Sequence, residues 1–232
     1  MNEIRFRTTV SVELIESCAS DLSVARAARV STGGAAKPPE DDAKLIQWLM
    51  RSRHGSPFEH NLFTFLVDAP IFVWREHMRH RIGSYNEESG RYKELAPVFY
   101  IPGASRKLVQ TGKPGAYVFE LGTKIQELQV VDALKENATA DYAAYRRMLD
   151  AGVAREVARM VLPVSIYSSA YVTMNARALM NFLSLRRRVE GSAYLSYPQR
   201  EIEMVAEQYE QHFQRLMPAT YAAFVGFGRV AP

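Results

Sequence analysis

A chain of 232 residues with 47% hydrophobic side chains can bury a substantial core, and 29 basic against 25 acidic residues leave a net charge of +4 and a pI near 9.2. That basic excess is mild and its arginines are spread over several segments, which argues against a nucleic-acid-binding patch or tail. No run approaches the ~18 uncharged apolar residues of a membrane span and Met1-Asn2-Glu3-Ile4-Arg5 has no apolar signal core, so a cytoplasmic protein is expected, with no membrane partner.

Residues 5 to 16 alternate loosely, with Val10, Val12 and Leu14 on one side and Thr9, Ser11 and Glu13 on the other, and predict an early strand. Cys18 is the only cysteine, which excludes an internal disulfide and a multi-cysteine metal site. With Glu13, Glu16 and Asp21 around it a thiolate is disfavoured, and it reads as a small packing residue. Asp21 is the expected cap of a helix carrying Leu22, Val24, Ala25, Ala28 and Arg29, broken at Ser31-Thr32-Gly33-Gly34. Glu40 to Ser52 predicts a helix with Leu45, Trp48 and Leu49 on a buried stripe, followed by a turn at His54-Gly55-Ser56-Pro57.

Residues 61 to 67 are aromatic and branched on both alternating faces, the pattern of a central strand buried on both sides. Asp68-Ala69-Pro70 should stop it and start a short helix, with Ile71, Trp74, Arg75 and Met78 packing and Glu76, Arg79 and His80 offered outward. That helix would mount a turn-rich, donor-rich stretch running from Arg79 to Tyr92, suited to an anionic, planar ligand, although composition alone fits a solvated loop equally well. Residues 95 to 115 read as a long irregular connection punctuated by Pro97, Pro102, Gly103, Gly112, Pro114 and Gly115, with Val98 to Ile101 as packing groups.

Helical patterning runs from about Tyr117 to Asp150 and ends at Gly152; a short helix from Val153 to Val161 then carries Arg155 and Arg159 on one face. Residues 164 to 174 alternate as a second sheet strand, and Asn175 is the natural cap of the next helix. There Arg177, Asn181, Ser184 and Arg188 share a stripe, whereas Arg186 lies nearly opposite beside Leu179 and Phe182. If both arginines serve ligands, one straight helix serves two pockets or two chains, which suggests sites built across an oligomer interface. The run Arg186-Arg187-Arg188 is also what a helix C-terminus places against its dipole. Pro198 opens a long helix with Ile202, Val205, Ala206, Tyr209, Phe213 and Leu216 on its core face. With no repeat or linker in view, the expectation is one α+β domain over 1-232.

The five histidines, His54, His60, His77, His80 and His212, show no metal-ligand spacing, so no metal is expected. A serine elbow, a Cys/His pair and glycine-rich phosphate loops are likewise missing from the sequence. An enzyme built this way needs a cofactor for the hard step, with arginines to position anions and polarise the substrate.

The segment Arg79-His80-Arg81-x-x-Ser84-x-Asn86-x-x-Ser89-x-Arg91 matches the RHRxxSxNxxSxR signature of the flavin-dependent thymidylate synthases at all seven of its fixed positions. Ala27-Ala28-Arg29-Val30-Ser31, His54-Gly55-Ser56-Pro57-Phe58-Glu59-His60, Arg159-Met160-Val161-Leu162-Pro163 and Asn175-Ala176-Arg177 through Leu185-Arg186 also resemble blocks of that family, in the same order. The resemblance covers essentially the whole chain. It implies an α+β fold with a central, mostly antiparallel sheet flanked by helices, assembled as a homotetramer whose active sites are shared between subunits.

It further implies conversion of dUMP to dTMP, with methylenetetrahydrofolate as carbon donor, FAD as hydride carrier, NADPH as reductant and no enzyme nucleophile. Arg186 matches the arginine that activates the uracil. The nucleotide site is expected to include Glu76, Arg79, Glu87, Glu88, Ser89, Gly90, Arg91 and Arg159 beside Arg186. Flavin contacts are expected from Ser31, Ser56, Arg79, His80, Arg81, Glu87, Asn175, Arg177 and Asn181, and His54 and Tyr92 are matched to the folate or nicotinamide region. Glu76 stands where many relatives have glutamine, so its partner must be a hydrogen-bond donor. The segment Arg187 to Tyr197 matches no family block. Relatives in nucleoside-antibiotic pathways methylate UMP with the same machinery, and a site that merely leaves room accepts the extra hydroxyl. The reading from another class is a non-catalytic, basic nucleotide- or RNA-binding module.

Overall fold

The computed structural model describes residues 3–113 and 116–232. Its described residues form two compact units, one from Met1–Thr9, Ala69–Trp74 and Glu88–Ser168, the other from Val10–Asp68, Arg75–Glu87 and Ser169–Pro232. Among the described residues no helix is long and apolar enough to cross a membrane.

In the first unit the chain starts with β1 (Arg5–Arg7), which runs parallel to β5 (Val98–Tyr100) with Phe6 beside Phe99. The expected single strand over residues 5 to 16 is therefore two strands, and the segment expected to be irregular contributes a fully buried one. A hairpin of β6 (Val109–Lys113) and β7 (Ala116–Glu120) follows, also within stretches expected as loop and helix; Pro114 and Gly115 lie outside the described residues. α5 (Lys124–Asp150) consequently begins later than its periodicity suggests, where Thr123 and Gln126 form a reciprocal capping box. α6 (Arg155–Ala158) and one 3-10 turn (Arg159–Val161) replace the expected continuous short helix. Phe99, Tyr142, Tyr145, Ala158 and Ile166 close the core of this unit.

The second unit carries a four-stranded sheet in the order β2-β3-β8-β4, made of β2 (Ser11–Ser17), β3 (Leu62–Pro70), β8 (Tyr167–Asn175) and β4 (Ser84–Glu87). β2 is antiparallel to β3 and β4 to β8, which realises the α+β architecture expected. β3 lies inside the sheet, but only one of its faces is fully covered: Phe63, Phe65 and Val67 are buried, whereas Thr64, Leu66 and Asp68 alternate with them half-exposed. The strand continues through Asp68-Ala69-Pro70 rather than stopping there, because residues that disfavour a strand are tolerated at its end.

The helices of this unit are α1 (Asp21–Arg29), α2 (Pro39–Arg51), α3 (Ser56–Glu59), α7 (Ala176–Arg186), α8 (Arg200–Leu216) and α9 (Pro218–Gly226). Ser20, not Asp21, caps α1; the Asp21 carboxylate instead accepts from Ala219 N, Thr220 N and the Thr220 hydroxyl at 2.6–2.9 Å, fastening α9. α2 buries Asp42, Ile46, Leu49 and Met50, a stripe rotated from the expected one because Asp42 pairs inward with Arg29 at 2.5 Å, so Trp48 is left 45% exposed. α3 is helical where a turn was expected. Cys18, expected to pack, is exposed beside the end of β2. Aromatic rings knit β3 to the helices: Phe65 lies 4.5 Å from Tyr209, and Phe182 5.4 Å from Tyr209.

Candidate active site

α4 (Ile71–His77) is shorter than expected, and its buried side chains are Val73, Trp74 and His77, while Arg75 and Met78 are exposed. The Trp74 indole N–H donates to the carbonyls of Ala69 at 3.1 Å and Ser168 at 2.9 Å, which fixes the start of the helix. Beyond it, a turn is closed by Arg79 N to Glu76 O at 3.2 Å and His80 N to His77 O at 3.0 Å. The Tyr85 hydroxyl donates to the carbonyls of His80 at 2.7 Å and His77 at 3.3 Å, tying the turn to β4. A Cβ on Gly83 would come within 3.1 Å of the Thr173 carbonyl, so the turn passes close against β8 here. The middle of the signature, with Ser84 and Asn86, is thus an edge strand and not a free loop, since Ser84 to Glu87 pair with Thr173 to Ala170.

This braced turn meets the end of α7. Arg186 donates through a terminal guanidinium nitrogen to Glu76 Oε2 at 2.9 Å and through Nε to His80 Nε2 at 3.0 Å, with its side chain 20% exposed. The partner of Glu76 is a donor, as a carboxylate at that position requires. Because His80 accepts at Nε2, its proton sits on Nδ1, which is left as a donor. Burial, and then the adjacent Arg186 charge, push the His80 imidazole down to about 4, so it is neutral near pH 7. Beneath it His77 is fully buried against Phe182 and shares a 3.0 Å hydrogen bond between Nε2 and the Tyr209 hydroxyl. Burial first, then His80 and Arg186, hold the His77 imidazole at about 3.

On the opposite face of α7, Asn175 caps the helix by accepting from Ala178 N at 2.8 Å, as expected. Arg177 donates to Glu59 at 2.6 Å and to the Pro232 carbonyl at 2.6 Å. A Cβ on Gly55 would lie 2.5 Å from Arg177 Nε and 2.8 Å from that carbonyl, so this close approach requires glycine. Ser56 and Asn181 are exposed, and Ser31 is exposed with its hydroxyl donating to Ala28 O at 2.9 Å. Among the described residues the side chains of Arg79 and Arg81 have no partner, which leaves two guanidinium forks in solvent. His54 stacks on Trp48 at 4.8 Å; Trp48 escaped sequence reasoning because its spacing fitted a core stripe.

The remaining residues belong to the first unit. Gly90 is buried and a Cβ there would come 3.2 Å from Arg159 Cδ and 3.1 Å from Leu95 Cδ1, so its backbone lies against the Arg159 stem. Ser89 accepts from Arg91 N at 3.2 Å, and Arg91 Nε donates to Glu156 at 2.9 Å. Glu88 pairs with Lys93, and Tyr92 is 80% exposed. Neither Lys93 nor Glu156 carries a sequence signal that would have singled it out.

These residues bring together a fixed cation, a neutral imidazole donor and exposed guanidinium forks, a set able to stabilise negative charge on a ligand. The sequence model of the family described as thymidylate synthase complementing protein matches residues 13–219. Curated relatives named flavin-dependent thymidylate synthase are 58% identical over 99% of this chain and 96% of the protein in Streptomyces coelicolor, and 56% identical over 98% and 97% in Tropheryma whipplei. Among solved structures, a UMP/dUMP methylase PolB from Streptomyces cacaoi bound with 5-Br UMP superposes with a TM-score of 0.93 at 55% identity, covering 99% of this chain and 100% of that one. The same methylase bound with 5-Br dUMP gives 0.94 at 53% identity, again over 99% and 100%. The family match and the likeness of fold define a flavin-dependent enzyme of the methyltransferase class. The chain belongs to the family of thymidylate synthase complementing proteins, the flavin-dependent thymidylate synthases.

Proposed function

We propose that this enzyme carries out reductive C5-methylation of dUMP to dTMP, with methylenetetrahydrofolate as carbon donor and NADPH as reductant. The observation that supports the reading is the Arg186–Glu76–His80 cluster, which fixes a guanidinium of the kind that could meet charge on a pyrimidine imide. Glu76, Arg79, Glu87, Glu88, Ser89, Gly90, Arg91 and Arg159 are proposed to bind the nucleotide, with the guanidinium forks on its phosphate.

FAD is the proposed cofactor. The donor set fits it: two exposed arginine forks without partners and an arginine wedged against a glycine match a group with phosphates and a heterocycle. When bound and reduced by NADPH, FAD would supply the hydride. Ser31, Ser56, Arg79, His80, Arg81, Glu87, Asn175, Arg177 and Asn181 are the residues proposed to hold it, and His54 and Tyr92 to face the folate or nicotinamide. Arg177 and Arg186 point to opposite faces of α7 and have separate partners, which supports a homotetramer with sites shared between subunits. The proposed location is the cytoplasm, with no nucleic-acid partner.

A second substrate, UMP, is supported by the likeness to a methylase solved with both nucleotide analogues. Side-by-side turnover of dUMP and UMP with methylenetetrahydrofolate and NADPH tests both readings, and a colourless protein that binds no added FAD would sink them in favour of a binding module. Gly55→Ala is expected to dislodge Arg177 and weaken FAD binding about tenfold, read by flavin fluorescence; unchanged affinity would remove Arg177 from the flavin site. Cys18→Ala is expected to keep wild-type turnover, since the thiol is exposed and no nucleophile is invoked; a folded, flavin-loaded but inactive variant would contradict this.

A further inference from the structure

The residues that follow Glu76 and Arg186 in the chain are both tied to α8. Three carboxylates of that helix surround the Arg187 guanidinium: a terminal nitrogen lies 3.1 Å from Glu203 and 3.4 Å from Glu207, and Nε lies 3.1 Å from Glu210. Glu203 also accepts from the main-chain N–H of Arg188 at 3.1 Å, and the Ser196 hydroxyl donates to the Arg187 carbonyl at 2.9 Å. Arg187 is extended, with φ −126 and ψ 119, so α7 stops at Arg186 and its last turn is held by these bonds. From the same helix, Tyr209 hydrogen-bonds His77, the residue after Glu76. One rigid element thus grips the successor of each member of the Glu76–Arg186 pair.

We propose that Arg187 is a positioning residue: clamped by Glu203, Glu207 and Glu210, it sets where α7 presents Arg186 to Glu76 and His80. The inference rests on Arg186 being the arginine that meets the pyrimidine. A guanidinium suits the task because its planar fork reaches several carboxylates at once, which a single ammonium cannot do with the same geometry. The carboxylates around Arg187 have other cationic partners as well. Arg200 pairs with Glu203 at 3.1 Å and Glu207 at 2.7 Å, and Arg229 pairs with Glu210 at 2.6 Å, so each carboxylate retains a cation without it.

The test compares Arg187→Leu and Arg187→Lys with Arg200→Ala, which removes ion pairs to Glu203 and Glu207 but leaves Arg187 and its own three carboxylate contacts in place. Turnover is measured on flavin-loaded enzyme, and the His80 ring is titrated by NMR in the ligand-free protein. That ring is faced by Arg186 from α7, whose guanidinium also binds Glu76 of α4, by His77 from α4 and by Phe182 from α7, while Tyr85 of β4 holds its carbonyl. Arg187→Leu is expected to lower kcat about 10- to 100-fold with a smaller change in KM for the nucleotide, and Arg187→Lys to recover part of it. The His80 titration should move upward in Arg187→Leu, because the guanidinium that depresses it has moved away. Arg200→Ala should keep kcat and His80 unchanged. An unmoved His80 titration in Arg187→Leu overturns the proposal whatever the kcat, and so does an equal kcat loss in Arg200→Ala. A moved titration in a protein whose wild type transfers no methyl group upholds the placement of Arg186 and removes the proposed reaction instead. If Arg187→Leu does not fold, Arg187→Lys is read on the same two measurements.

Discussion

Arg186→Ala is expected to leave the flavin bound and to cut methyl transfer by about 10³-fold or more. The size follows from what the guanidinium does: it is held at 2.9 Å by Glu76 and 3.0 Å by His80, so little reorganisation is needed when charge develops on the pyrimidine. Arg177 and its bonds to Glu59 and Pro232 lie on the other face of α7 and are untouched by the substitution, which is why flavin content should hold. Single-turnover assays on the flavin-loaded variant measure the effect, and near-normal turnover would remove Arg186 from the chemistry. Arg186→Lys should rescue little, because an ammonium cannot hold two partners in the same plane.

The second large effect concerns acid stability. His77 is fully buried, and burial together with its charged neighbours lowers it from 6.5 to about 3. The folded protein therefore keeps this ring neutral while the unfolded chain takes up a proton. Its contribution to stability is complete above the unfolded value of 6.5 and is lost progressively as the pH falls from there toward about 3. Across that window the loss should reach a few kcal/mol, with His80 adding to it as the pH approaches its own value of about 4. His77→Gln can keep a hydrogen bond to the Tyr209 hydroxyl but cannot titrate. Urea midpoints at pH 7 and pH 4.5 should accordingly fall less in His77→Gln than in the wild type, and equal falls would mean that other groups govern the acid limb.

Much of the candidate site was legible because its signals are local. The Asn175 cap, the opposite faces of α7 and the donor-rich stretch after α4 all follow from residue spacing, and each is present. β4 was not legible, because Ser-Tyr-Asn-Glu has little strand preference of its own and becomes a strand only by pairing with β8, far along the chain. The β6–β7 hairpin was masked for the same reason, by glycines and polar residues that fit a loop as well. Trp48 and Cys18 show the limit of periodicity and size as guides to burial, since an inward ion pair between Arg29 and Asp42 decides how α2 is turned. The carboxylates of α8 were the costliest omission. Glu203, Glu207 and Glu210 look like a solvated face, and only the fold shows that they are turned onto Arg187 and Arg229.

The hydrogen bond from Arg186 to His80 has a consequence for proton inventory. A guanidinium does not deprotonate in a protein, and the imidazole it binds stays neutral until the pH falls to about 4. Neither group changes its resting charge near neutral pH, so together they form an electrostatic fixture. The pair thus holds its charge, one positive group beside one neutral donor, across the whole range from about pH 5 upward, and the charge it offers a ligand does not vary with pH there.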